Sequence, residues 1–294
     1  MAMRTDTAAP PDVRRAAIEL ATCSSIEMGA HRPGDAARIA ALLPAGTLVY
    51  VNHLPRHSLD DTLRGLLAAR AAGLEPVPHL AARRIGSRSE AQRFLERAVQ
   101  EAGVQKVLVL GGDVPQPAGP YPDAASLIRD DLLKTAGIRE IGLAGYPEGH
   151  PRIGTDILNT ALAEKVWLAR KLGLGSYVVT QFSFAPNRII EFCGSLSRRM
   201  PDVPVYVGLP GPTTPTCLLR FAQICGVSAS LRALQAQGMG AVRLFTRTDP
   251  ADQLMAVARH VAGGATHNVV GVHLFSFGGV EASAAWINQQ IAGA

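Results

Sequence analysis

Aromatic residues are scarce in this chain: only 5% of its 294 residues are Phe, Trp or Tyr. Cysteine is scarce too. Cys23, Cys193, Cys217 and Cys225 form no CxxC pair, and their spacing fits neither a zinc site nor a disulfide framework. Reduced thiols, a cytoplasmic location and no metal site are the expectation. No run of about 18 apolar residues occurs, so no transmembrane span is expected. The polar opening, Met1 to Asp12 with Pro10-Pro11, lacks the apolar stretch of a signal peptide. There is also no Lys/Arg block. Net charge is +5, and the densest clusters are Arg83-Arg84, with Arg88 nearby, and Arg198-Arg199. These read as solvated faces, because nucleic-acid binding needs a continuous basic surface. A modest positive field suits an anionic ligand. No nucleic-acid or membrane partner is expected.

What is abundant is apolar residues, at 47%, arranged in one repeated pattern. A short apolar run ends in small or polar residues, a helical stretch follows, and a Gly precedes the next run. The strand candidates are Thr22–Met28, Thr47–Leu54, Glu75–Leu80, Lys106–Gly112, Glu140–Tyr146, Tyr177–Ser183, Val203–Leu209 and Val269–Phe275. Interiors such as Val107-Leu108-Val109-Leu110 are continuously hydrophobic, as strands covered on both faces are. Leu59–Ala72, Ser89–Ala102 with a Ser cap, and Asp123–Ala136 read as helices, each followed by Gly. Pro215–Ile224, Ser228–Gln237 and Pro250–Ala262 add helices between the last two strands. Eight strands alternating with helices predict an α/β fold: a closed (β/α)8 TIM barrel with extra helices. One catalytic domain is expected over 1–294, with 1–11 as a flexible tail. The runner-up, an open doubly wound sheet, calls for a GxGxxG loop after the first strand, where Glu27-Met28-Gly29-Ala30 stands instead.

Catalytic groups of such barrels sit at the C-terminal strand ends. Here the ends carry Glu27, Asn52-His53, His79, Gly111-Gly112-Asp113, Tyr146 through His150, Thr180-Gln181, Gly208 through Gly211, and Ser276 through Gly279. Nearly every end offers a group able to donate, accept or titrate. A carboxylate such as Glu27 beside an apolar strand is costly without a role. Gly111 and Gly112 let backbone approach a ligand.

Several of these ends also carry a resemblance. Gly142-Leu143-Ala144-Gly145-Tyr146-Pro147-Glu148-Gly149-His150-Pro151 resembles the AGYPEGHP signature of methylenetetrahydrofolate reductases. Val179-Thr180-Gln181-Phe182-Ser183-Phe184, Pro78-His79-Leu80, Leu110-Gly111-Gly112-Asp113 and Ser25-Ile26-Glu27 resemble that family's ITQxFF, PHLT, LRGD and SFE segments, in family order. The resemblance implies a flavin-dependent oxidoreductase. It interconverts 5,10-methylenetetrahydrofolate and 5-methyltetrahydrofolate, with FAD as cofactor and NADH or NADPH as co-substrate. Matched residue by residue, it implies that Glu27 is the general acid that protonates N10. Asp113 is the aspartate near flavin and pterin, and Gln181 binds folate. His79, Tyr146 and His150 contact FAD, with Asn52, His53, Gly111, Gly112, Ala144 and Gly145 around the cofactor. On the helix after His150, Asp156, Asn159, Arg170 and Lys171 are further candidates for FAD contact. A tetrahydrofolate derivative and a homo-oligomeric assembly are the expected partners.

The departures are specific. Gly111 replaces the arginine of LRGD, and Asn52-His53-Leu54 replaces the family's Thr-Tyr-Gly. The segments Gly208–Pro212 and Cys225–Ser230 resemble a divergent branch associated with catabolism of methyl groups, where the reaction runs as an oxidation. Two alternatives therefore stand beside the flavin route: direct hydride transfer from a nicotinamide without flavin, and a non-catalytic folate-binding accessory subunit.

Overall fold

The continuous apolar runs become eight parallel strands that close on themselves. The computed structural model of the chain describes residues 10–54, 57–227, 249–264 and 266–293. The strands are β1 (Ser25–Gly29), β2 (Leu48–Asn52), β3 (Glu75–Ala81), β4 (Lys106–Leu110), β5 (Glu140–Gly145), β6 (Gly175–Thr180), β7 (Val205–Pro210) and β8 (Val269–Phe275). Each pairs with the next, and β8 pairs with β1, which closes the barrel. The predicted fold class is the observed one.

The helices are α1 (Pro11–Thr22), α2 (Asp35–Ala40), α3 (Leu59–Ala71), α4 (Arg88–Ala102), α5 (Ala124–Arg129), α6 (Leu132–Thr135), α7 (Thr155–Lys171), α8 (Pro186–Arg199), α9 (Pro215–Cys225), α10 (Ala251–Ala262) and α11 (Val280–Ala292). The predicted helix Ser228–Gln237 lies outside the described residues, as do residues 1–9 of the predicted tail. Among the described residues no helix is long and apolar enough to cross a membrane.

Local chemistry explains where boundaries shift. The first strand starts at Ser25, because Thr22 ends α1, a helix the sequence reading did not anticipate. Ser87, not Ser89, caps α4: its side chain accepts from the Glu90 N–H, which satisfies a free donor of the first turn. The single helix predicted over Asp123–Ala136 is two. The break falls at Asp130-Asp131, where Asp131 takes a left-handed φ of 66°, a region that short polar Asp tolerates. Asp130 accepts from Arg88 Nε at 2.8 Å and from the Tyr121 hydroxyl, which fixes the break.

Two apolar layers hold the barrel. Outward strand residues such as Ile26, Met28, Val49, Val51, Val107 and Val109 pack under Leu63, Leu66 and Leu95 of the surrounding helices. Inward residues Tyr50, Val77, Leu108, Tyr177 and Val179 fill the lumen, and the Tyr50 hydroxyl donates to that of Tyr177 at 2.9 Å. The lumen therefore supports the strand ends rigidly. The close approach of β6 and β7 requires Gly208, whose added Cβ would stand 2.1 Å from the Thr180 carbonyl oxygen and 2.8 Å from the Phe275 ring. Gly208→Ala is expected to destabilise the fold by about 1–3 kcal/mol through overpacking, read as a lower urea midpoint at unchanged m-value.

Candidate active site

Strand alternation decides which side chains reach the site. On β1, Ile26 and Met28 belong to the outer core, so Ser25, Glu27 and Gly29 face the lumen. A cavity of about 800 Å³ opens over the C-terminal strand ends. It is lined by Glu27, Asn52, His53, His79, Gly111, Gly112, Asp113, Ala144, Gly145, Tyr146, His150 and Gln181. The barrel thus brings all of these sequence-predicted residues to one site. Its volume lies within the ordinary range for ligand pockets.

Glu27 occupies the floor. Its side chain is 15% exposed, and its Oε1 lies 3.8 Å from Nε2 of His79 and 3.8 Å from Nε2 of His273. Both nitrogens are buried and lack a hydrogen-bond partner among the described residues. The edges of both imidazoles meet the Tyr50 ring, at centroid separations of 6.0 and 4.6 Å. Burial pulls the His79 pKa down to about 4; the negative charge of Glu27 opposes this and His273 adds to it. Burial, then the Arg84 guanidinium, likewise lowers His53 to about 4. Both are therefore neutral at physiological pH, where they serve as polar contacts rather than cations.

The rim is built from backbone and amides. Gln181 donates its backbone N–H to the Gly145 carbonyl at 2.8 Å. Its side-chain Oε1 accepts from the Phe182 N–H at 3.1 Å. Tyr146 meets His150 edge to face at 5.5 Å, and His150 Nδ1 accepts from the Arg152 N–H at 3.2 Å. Burial raises the Tyr146 pKa and lowers that of His150. Asp113 is exposed at the rim; burial lowers the Arg84 pKa, and the negative charge of Asp113 opposes this. The Asn52 Oδ1 and His53 Nδ1 are buried without partners among the described residues. Gly111 leaves open space, since a Cβ there would meet nothing within 4 Å.

The helix after His150 places its four candidate residues apart from the cavity. α7 starts at the site and runs away from it, so its last turn lies far from the strand ends. Arg170 pairs there with Asp202, and Lys171 stands 5.2 Å over the Trp167 ring. Neither lines the cavity. Asp156 is exposed in the first turn and does not line it either. Asn159 lines a neighbouring cavity of about 560 Å³ between α7 and α8, and accepts from Arg199 at 3.2 Å. The two cavities share Ala144, Gly145 and Tyr146.

Among the cavity residues that sequence reasoning missed are His273, Arg84, Cys225, Arg152 and Arg220. His273 sits inside the apolar run Val269–Phe275, and a histidine in a strand buried on both faces was itself the signal. Arg84 is not on a solvated face. It lines the cavity and donates to the backbone carbonyls of His53 and Leu54, pinning the segment after β2. Its neighbour Arg83 is structural too, donating to the Val114 and Pro122 carbonyls at 2.9 Å. Cys225 on α9 lines the cavity beside Gln181 and Glu27, and burial pushes its thiol up to about 12. Among the described residues no group of three His, Cys, Asp or Glu is placed to hold a metal ion.

The chain is similar in sequence to known proteins. The sequence model of the family described as Methylenetetrahydrofolate reductase matches residues 62–237, more than half of the chain. The chain is 30% identical over 174 residues to the 5,10-methylenetetrahydrofolate reductase of Pectobacterium carotovorum, covering 58% of this chain and 53% of that one. It is 30% identical over 164 residues to Methylenetetrahydrofolate reductase 2 of Saccharomyces cerevisiae, covering 53% of this chain and 26% of that one. The Escherichia coli 5,10-methylenetetrahydrofolate reductase is 30% identical over 139 residues, covering 47% and 44%. The alignments thus span about half the length of the bacterial relatives or less. Glu27, Asn52, His53 and His273 fall outside the family match, so their place in the site rests on barrel geometry. With the matched region supplying β3 through β7 and their strand-end motifs, the chain belongs to the methylenetetrahydrofolate reductase family.

Proposed function

We propose that this chain interconverts 5,10-methylenetetrahydrofolate and 5-methyltetrahydrofolate, with FAD as cofactor and NADH or NADPH as co-substrate. The observation that carries the reading is Glu27: a carboxyl on the floor of the strand-end cavity, enclosed by the buried His79 and His273.

The cavity suits a flat heteroaromatic ligand. The orphaned Asn52 Oδ1 and the orphaned nitrogens of His53 and His79 need partners, and ring N–H and carbonyl groups supply them. Gly111 and Gly112 admit close approach, and Tyr146 and His150 offer ring edges. These residues, with Ala144 and Gly145, would hold the flavin, which supplies hydride-transfer chemistry when bound. The rim arginines Arg84, Arg152 and Arg220 suit phosphate or carboxylate groups. Gln181 offers an amide to the pterin.

In the reductive direction Glu27 protonates N10 of the folate. The bond between N10 and the methylene carbon breaks, its electron pair stays on N10, and the carbon becomes an N5 iminium. That carbon then accepts a hydride and becomes the methyl group. The acid is needed because a neutral arylamine leaves far more readily than its anion. In reverse, the same carboxylate takes the proton back.

A second reading is favoured by Gly111, which offers no side chain, and by Asp156, Arg170 and Lys171, which stay off the cavity. In it, hydride passes from the nicotinamide to the folate with no flavin. One experiment separates the readings. The purified chain is scanned for bands near ~370 and ~450 nm, the signature of a bound flavin. It is then denatured to identify released cofactor, and assayed with methylenetetrahydrofolate and NAD(P)H. FAD with turnover supports the first reading; turnover by a colourless protein supports the second. Tight folate binding without turnover under any donor or acceptor overturns both and leaves an accessory binding subunit.

A further inference from the structure

Beneath Glu27, Ser25 and His273 form a buried polar contact that the reading above does not use. Ser25 and His273 are register partners across the seam where β8 meets β1. Both are fully buried. Ser25 Oγ lies 2.8 Å from His273 Nδ1, and His273 Nε2, otherwise unpartnered, lies 3.8 Å from Glu27 Oε1. Ser25 and Glu27 share the inward face of β1, two residues apart, so the sheet itself fixes the array.

The donor in the Ser25–His273 contact follows from burial. A neutral imidazole carries one N–H and one acceptor nitrogen. If Ser25 accepted from Nδ1, its own hydroxyl hydrogen would be buried, and no acceptor for it is recorded among the described residues, a costly arrangement. If Ser25 donates to Nδ1, the buried hydroxyl hydrogen has a destination, and the proton of the ring then sits on Nε2, on the side of Glu27. The carboxylate oxygen it faces, Oε1 of Glu27, lies 3.8 Å away, an electrostatic contact beyond hydrogen-bond distance.

We propose that Ser25 and His273 are positioning residues: the Ser25 hydroxyl locks His273 as the Nε2–H tautomer, and that N–H faces Oε1 of Glu27 and orients the carboxyl electrostatically, leaving the second carboxylate oxygen to meet the folate. This rests on the reading of Glu27 as the acid. The titratable groups facing Glu27 are His273 from β8, His79 from β3 and Cys225 from α9, with Tyr50 of β2 against both rings. Of these, His273 has a ring nitrogen tied to a buried hydroxyl on the strand of Glu27, which makes it the fixed end of the array.

The test joins a readout that needs no substrate to one that does. Nitrogen-15 NMR of the histidine-labelled chain, assigned through bonds to the backbone, reports the tautomer of each ring. His273 is expected as Nε2–H in the unaltered protein and in Ser25→Thr, and as a mixture of tautomers in Ser25→Ala. In steady-state assays Ser25→Ala is expected to lower kcat with methylenetetrahydrofolate about ten- to a hundredfold at unchanged KM, the scale of a misplaced reacting group. Ser25→Thr, which keeps the hydroxyl, restores it. An Nδ1–H tautomer in the unaltered protein overturns the proposal without any variant having to fold, and so does full kcat in Ser25→Ala. Absence of folate turnover in the unaltered chain removes the acid reading of Glu27 instead, and the tautomer measurement still decides what Ser25 does to His273.

Discussion

Replacing Glu27 by Gln is expected to reduce folate turnover by about two to four orders of magnitude, the contribution typical of a positioned general acid. Gln keeps the shape and hydrogen-bonding reach of the side chain but has no proton to give at neutral pH. Substrate binding changes little, because the amide still fills the floor between His79 and His273. NAD(P)H oxidation by an external quinone is expected to persist, because no proton from Glu27 enters that half of the cycle. The contrast between the halves carries the argument. A misfolded variant loses both, whereas loss of the acid removes only the folate half. Folate turnover at the unaltered rate in Glu27→Gln would remove the acid role and shift attention to Asp113 at the rim.

The barrel was legible because its signals are periodic and mutually consistent. Eight apolar runs, each followed by helix and glycine, admit few topologies, and Val269–Phe275 was read to the residue. Where one helix was expected over Asp123–Ala136, a local signal was overridden by a contact the sequence does not order. Asp130 breaks the α5–α6 stretch by capturing Arg88 and Tyr121, and nothing between Asp123 and Ala136 announces it. The site was legible where it lies at strand ends. Glu27, Asn52, His79, Gly111 and Gln181 follow from knowing where each run stops. Arg84 and His273 were not, for opposite reasons. Arg84 stands beyond its strand end and reaches back to carbonyls of another loop. His273 stands before its strand end, where an apolar context disguised it as core. Arg170 and Lys171 lie off the cavity because of length, since a helix of 17 residues carries its last turn about 25 Å from its first.

The buried histidines also predict how the fold responds to acid. An exposed histidine titrates near about 6.5, whereas burial, opposed by Glu27 and reinforced by His273, brings His79 down to about 4. Between these values the unfolded chain binds a proton that the folded chain does not, so stability rises with pH across the window. The contribution of His79 is complete above about pH 6.5 and is lost as pH falls toward 4, reaching on the order of 3 kcal/mol there. Below that, both states are protonated and the loss levels off. His53, lowered chiefly by burial and then by Arg84, acts in the same direction. Urea unfolding at pH 7.5 and pH 5 reads the difference. The unaltered chain is expected to lose about 2 kcal/mol through His79 over that interval, and His79→Gln, which has nothing to protonate, is expected to lose correspondingly less. An equal loss in both proteins would mean that His79 takes up its proton inside the folded barrel, with Glu27 as the ionised partner, and the floor of the site would then carry an ion pair instead of a neutral ring beside a carboxyl.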